Sequence, residues 1–156
     1  MKVYKMKETV LGEYRMQLPA RSENEGVARA MVCSIASLMD PTVGELADIR
    51  CAVSEAVTNA VVHGYRYVAG VIYITVKLYS GSVFQVEIAD KGCGIANVEE
   101  AMQPLYTTDA EGERSGMGFS VMQTFMDSLD VRSKPGEGTR VVMRKRLMGE
   151  HERRKI

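Results

Sequence analysis

Ser54-Glu55-Ala56-Val57-Thr58-Asn59-Ala60-Val61-Val62-His63-Gly64 is the stretch on which the fold of this chain turns. With Leu46, Ile49 and Val53 upstream, its residues Ala56, Val57 and Ala60 recur at three- and four-residue steps, the spacing of one buried helical stripe. Glu55 and Asn59 fall one turn apart on the opposite face, separated by roughly 6 Å along the axis. An amide oxygen there is suited to ligate a hard cation such as magnesium, and a carboxylate beside it is left free to accept a proton. An isolated Glu-x-x-x-Asn is far more often a solvated helix face, so the rest of the chain has to decide.

Upstream, Thr42 and Glu45 have capping-box spacing and start this helix, and Gly64 is placed to end it. Ser22 and Glu25 repeat the spacing before Val27, Met31, Ile35 and Leu38, which predicts an earlier helix over 23–39 with that stripe buried, stopping before Asp40-Pro41. Glu13 to Leu18 alternates and reads as a short strand ended by Pro19, while residues 1–10 carry no pattern.

Downstream the period changes from helical to two. Ile72, Ile74, Val76 and Leu78 share one face of a strand over Val71–Tyr79, Ser80-Gly81 signals a hairpin, and Ser82–Asp90 returns with Phe84, Val86 and Ile88 inward. Asp90 falls on that same apolar phase, where a carboxylate is costly unless something satisfies it. Asp90-Lys91-Gly92-Cys93-Gly94 follows, an ordinary turn or a place where glycines let backbone approach a flat ligand. Residues 95–115 are polar and turn-rich, the composition of a functional lid. Arg114-Ser115-Gly116-Met117-Gly118-Phe119 opens a third helix with Val121, Met122, Phe125, Met126 and Leu129 on its buried side, and glycines at a helix start suit phosphate. Leu129–Ser133 and Thr139–Leu147 form a closing hairpin in which Thr139 faces inward beside Val141 and Met143, and a charged tail follows from Gly149.

At 156 residues the chain is expected to form a single domain, 1–156, with loosely ordered ends at 1–10 and 149–156 and a lid at about 95–115. Twenty basic and twenty acidic residues balance, which argues against direct nucleic-acid binding. Cys33, Cys51 and Cys93 are odd in number and never spaced Cys-x-x-Cys, so neither a disulfide framework nor a zinc site follows. No apolar run approaches the ~20 residues that span a bilayer and no signal segment follows Met1, so a cytoplasmic protein with no membrane partner is expected.

The four pieces in this order resemble the Bergerat-type (GHKL) ATP-binding domain shared by gyrase, Hsp90, histidine kinases and MutL: the Glu55/Asn59 helix, Asp90–Gly94, Arg114–Phe119 and Gly138-Thr139. Within it the chain is most similar to the small anti-sigma-factor serine kinases of the sporulation sigma-F switch, from about Tyr14 to Leu147. Asp40-Pro41-Thr42, Val53–Tyr65, Gln103–Thr108 and Glu113–Phe119 carry that likeness.

The pattern of elements predicts an α+β two-layer sandwich, with three helices on one face of a mixed, mostly antiparallel sheet, and the resemblance then assigns roles within it. The resemblance implies ATP or ADP with Mg2+ as ligands and Glu55 as general base toward a serine hydroxyl. Asn59 would hold the magnesium, and Asp90 would accept from the adenine amino group. Gly92 and Gly94 would lie close to the base, supported by Thr139. Arg114, Ser115, Gly116 and Gly118 would cradle the triphosphate, and His63 would reach toward the phosphates. Arg29 matches a partner-contacting arginine of the family. The implied partners are a sporulation sigma factor, an anti-anti-sigma antagonist and a second copy of the chain. Rival readings are a water-activating ATPase of the gyrase or Hsp90 kind, a histidine-kinase catalytic domain, and a nucleotide-dependent binding module without kinase activity.

Overall fold

The computed structural model describes residues 7–103 and 118–149. Five strands form one sheet: β1 (Val10–Pro19), β2 (Val71–Tyr79), β3 (Val83–Asp90), β4 (Ser128–Lys134) and β5 (Gly138–Arg146), in the order β1-β2-β3-β5-β4. Every pairing is antiparallel, so the expected mixed sheet is antiparallel throughout among the described residues. The helices are α1 (Asn24–Ala36), α2 (Val43–Asn59), the short α3 (Val98–Ala101) and α4 (Gly118–Phe125). α2 is the central helix, in contact with both α1 and α4.

The period-two pattern settles which face of the sheet the helices cover. Ile72, Ile74, Val76 and Leu78 of β2 and Phe84, Val86 and Ile88 of β3 are buried, while their sequence neighbours are only half-buried. Ile49, Ala52, Val53, Ala56 and Val57 of α2 pack into the same core. Burial of each large apolar side chain stabilises the fold by about 1.5–3 kcal/mol. β1 starts at Val10, earlier than alternation indicates, because Thr9 exchanges backbone and side-chain bonds with Ser80. Glu8 is also ion-paired with Arg144.

Two local expectations hold and two are corrected. The Thr42–Glu45 capping box is formed in both directions, at 3.1 and 2.9 Å. The hairpin turn falls at the expected Ser80-Gly81 and extends through Ser82, so the returning strand starts one residue later, at Val83. The Ser22–Glu25 box is not formed: α1 begins without a side-chain cap, and the Glu25 carboxylate instead holds Arg29 at 2.9 Å and the Thr58 hydroxyl at 3.0 Å. The α1 stripe is displaced by one residue. Ala28, Val32 and Ala36 are buried, whereas Val27, Met31 and Leu38 are 44%, 39% and 67% exposed. Small side chains at 28, 32 and 36 let α1 approach α2 closely, and that leaves the bulkier residues outward. A 3-10 turn over Ser37–Met39 and a left-handed Asp40 (φ 53°) complete the end of α1.

Candidate functional site

α2 does not stop at a left-handed glycine. It widens into a π-turn over Ala60–Gly64, closed by the Tyr65 N–H donating to Ala60 O at 2.8 Å. Such turns place backbone and side chains off the regular helical register and recur at functional sites. Here the widened turn brings His63 and Gly64 against the loop that leaves β3. Cys93 N–H donates to Gly64 O at 2.9 Å, and the Cys93 thiol donates to His63 O at 3.1 Å.

That loop is glycine-bound for steric reasons. A Cβ on Gly92 would lie 2.2 Å from Gly64 O, a backbone atom with no freedom to yield. Gly94 has φ +74°, and a Cβ there would lie 2.0 Å from Lys134 O, because Gly136 N–H donates across to Cys93 O at 2.7 Å. Clamped between the end of α2 and the β4–β5 turn, the loop runs on through Ile95, whose N–H donates to Ser133 Oγ at 2.7 Å. Ser133 Oγ in turn shares a 2.8 Å hydrogen bond with Thr139 Oγ1.

Asp90 occupies the phase the alternation gave it and is only 8% exposed. Burial pushes its carboxyl above the ordinary 3.8, and the backbone N–H groups of Gly92 and Thr139 pull the other way. The Gly92 bond is 2.9 Å long. One carboxylate, held by backbone and aimed off the end of a strand, is thus available at the floor of a cavity.

The cavity holds about 250 Å³. Asn59, His63 and Gly64 line it from α2 and its π-turn, Asp90 and Gly94 from β3 and its loop, Thr139 from β5, and Gly118 from α4. Its apolar walls are Ala56, Ala60, Ile88, Val141 and Phe119. At the opposite end from Asp90, a Cβ on Gly118 would lie 3.1 Å from Glu55 Oε2 and 3.2 Å from Asn59 Oδ1. The α4 start therefore abuts both polar groups of the α2 face. Six of the expected residues, Asn59, His63, Asp90, Gly94, Gly118 and Thr139, share one cavity, with Glu55 and Gly92 at its edges. Arg114, Ser115 and Gly116 lie outside the described residues, as does the stretch 104–113 of the expected lid. Arg29 lies away from the cavity. It is bonded to Glu25 and to Ser54 Oγ at 3.1 Å, so it ties α1 to α2 and is more than a solvated charge.

Sequence reasoning missed several lining groups. The phase of Ala56, Ala60, Ile88 and Val141 marks them as core, and they serve as core and cavity wall at once. The α3 helix was missed although Asn97 caps it, accepting from Glu100 N–H at 3.1 Å, with Glu99 and Glu100 in its first turn. Arg66, which also lines the cavity, carries no pattern that marks it.

Residues 18–145 match the histidine kinase-like ATPase domain family. An anti-sigma F factor of Thermoanaerobacter sp. (strain X514) is 54% identical over 81% of this chain and 87% of its own length. One from Clostridium acetobutylicum is 48% identical over 86% and 95%. Among solved structures, the RsbU and RsbW domains of a Mycobacterium tuberculosis protein superpose with a TM-score of 0.64 at 21% identity, covering 87% of this chain and 32% of that one. The fold is thus that of the histidine kinase-like ATP-binding domains, and the chain belongs to the anti-sigma F factor family.

Proposed function

We propose that this chain is an anti-sigma factor and a protein serine kinase in one cytoplasmic domain. With ATP or ADP bound it holds a sporulation sigma factor of the sigma-F type away from RNA polymerase. With ATP it phosphorylates a serine of a small anti-anti-sigma antagonist and so inactivates it. The observation that carries the reading is a single cavity with Asn59 and Gly118 at one end, Glu55 beside Gly118 at its edge, and a buried Asp90 at the other end.

The two ends divide the work. Asp90 accepts from the exocyclic amino group of adenine, and Gly92 and Gly94 let the chain pass beside the base, with Thr139 bracing that end. Asn59, with phosphate oxygens, offers the all-oxygen donors magnesium prefers, and Mg2+ usually takes only one or two protein ligands beside a nucleotide. When bound, the ion neutralises charge across the phosphates. Gly118 with Arg114, Ser115 and Gly116 cradles the triphosphate beneath a lid at about 95–115, and His63 faces it from the last turn of α2. Glu55 takes the proton of the attacking serine as its oxygen bonds the γ-phosphorus and the bond to the ADP oxygen breaks. The proton then leaves Glu55 to solvent.

The partners meet the outer face of α1. Val27 and Met31 are exposed there beside Arg29, an apolar and cationic surface that suits a protein contact. The working unit is a homodimer.

Incubation with γ-labelled ATP, magnesium and an anti-anti-sigma protein tests the reading. Label on a serine of that protein is expected. Free phosphate alone would favour a water-activating ATPase, and retained nucleotide with no turnover would favour a binding module.

A further inference from the structure

Arg66 and Tyr67 follow the π-turn with φ of 52° and 62°, two consecutive residues with full side chains in the left-handed region. Such a conformation is costly and persists only where its surroundings impose it. Here the turn is imposed by Tyr67 N–H donating to Val61 O at 3.1 Å and Val68 N–H to Tyr65 O at 2.9 Å. The Tyr65 hydroxyl adds a pin, donating to Val71 O at 2.6 Å and accepting from Lys91 N–H at 2.8 Å. None of these bonds uses the Arg66 side chain. Among the described residues its guanidinium has no hydrogen bond or ion pair, yet Arg66 lines the cavity.

Its place along the cavity identifies what it meets. Along α2 and its π-turn, Glu55 precedes Gly64 by roughly 13 Å at about 1.5 Å per residue, and a Cβ on Gly64 would lie 2.8 Å from Asp90 Oδ1, so the two polar groups stand at different ends of the helix. Arg66 comes two residues after Gly64, beyond the Asp90 end and away from Asn59 and Gly118. A ligand's flat ring belongs at that end and its anionic groups at the other. A guanidinium is planar and weakly hydrated, and it stacks on an aromatic face.

We propose that Arg66 is a nucleotide-contacting residue that stacks on the adenine ring and closes the base end of the site. The inference rests on the base end assigned above. Arg66 lines the cavity from the turn that follows α2, while Cys93, Gly94, Ile95 and Ala96 line it from the loop after β3.

Calorimetry with adenosine, AMP and ATP tests it on Arg66→Asn, since asparagine tolerates a left-handed backbone and the variant removes the guanidinium without altering the turn. A loss of roughly 3- to 30-fold, equal for all three ligands, is expected. Arg66→Lys keeps the charge without the plane and should remain weakened. A loss that grows from adenosine to ATP would instead make Arg66 a phosphate contact, and unchanged affinity or full rescue by lysine would equally overturn the stacking role. If the unsubstituted protein binds none of the three, the nucleotide reading itself fails, an outcome distinct from either of those.

Discussion

A Cβ on Gly64 would lie 2.8 Å from Oδ1 of Asp90, so the end of the central helix and the buried carboxylate are neighbours only because residue 64 has no side chain. The same glycine offers its carbonyl to Cys93 N–H and leaves no room for a side chain at Gly92. Gly64→Ala should displace the Asp90 carboxylate or the loop behind it. Overpacking of this kind typically costs about 1–3 kcal/mol of stability. ATP affinity should fall by at least about tenfold, because the acceptor for the base moves with it. Thermal denaturation and calorimetry together check this, and unchanged ATP affinity would separate Asp90 from the ligand.

Asp90 also couples the site to pH. Its folded-state carboxyl titrates above the ordinary 3.8 because of burial. Between those values the folded protein keeps a proton that the unfolded chain has released, so ligand-free stability is highest below the window and falls as pH rises through it. Asp90→Asn removes that slope and should make the ligand-free protein more stable at neutral pH. It should also weaken ATP and erode any preference over GTP, which presents a carbonyl where adenine presents an amino group. That preference should be roughly 5- to 150-fold in the unsubstituted protein. Denaturation midpoints from pH 4 to 8 and competition binding read the two effects separately. Equal GTP affinity in the unsubstituted protein would remove Asp90 from base recognition.

Cys93 provides a probe of occupancy. It is exposed, lines the cavity and sits in the loop between the two close-packed glycines. Cys51 is exposed and does not line the cavity, and burial pushes the half-buried Cys33 thiol up. ATP or ADP at about 100 times Kd should slow alkylation of Cys93 about 100-fold and leave Cys51 unaffected. Mass spectrometry of the modified peptides measures both rates in one sample. Parallel rates with and without nucleotide would place the ligand elsewhere.

The sheet and the grouping of Asn59, His63, Asp90, Gly118 and Thr139 around one cavity were legible because they depend on periodicity and spacing. Alternation placed Asp90 inward at the end of β3, and one helical turn placed Glu55 beside Asn59. What escaped depended on volume and on contacts distant in sequence. Whether α1 buries Val27 or Ala28 turns on how closely α2 approaches, and a hydrophobic pattern alone does not carry that distance. The capping-box spacing at Ser22 was overridden by Thr58 and Arg29, both of which draw the Glu25 carboxylate away from the helix start. At Glu45 the box did form, but its carboxylate also accepts from Met148 N–H at 2.6 Å, a bond across 103 residues that no local signal announces. The left-handed pair Arg66-Tyr67 is of the same kind, since neither residue type favours that conformation by itself.

Glu55 separates holding from switching. It lies one turn from Asn59, and both approach the start of α4 at Gly118. A serine hydroxyl is a poor nucleophile unless its proton is taken as the bond to phosphorus forms, and a positioned base contributes about 10²–10⁴-fold. Glu55→Gln keeps the size and the hydrogen-bonding reach while removing basicity, and it leaves Asn59, Asp90 and the glycines in place. Nucleotide and sigma factor should therefore bind as before, whereas phosphoryl transfer to the antagonist should fall about 10²–10⁴-fold. Residual turnover is expected because positioning and magnesium also lower the barrier. Such a variant would be a constitutive inhibitor, unable to inactivate the protein that releases its sigma factor. The measurement is the single-turnover rate at saturating ATP, read beside ATP affinity on the same preparation. A rate within a few-fold of the unsubstituted protein would mean that the serine proton goes elsewhere, and Glu55 would have no part in the transfer.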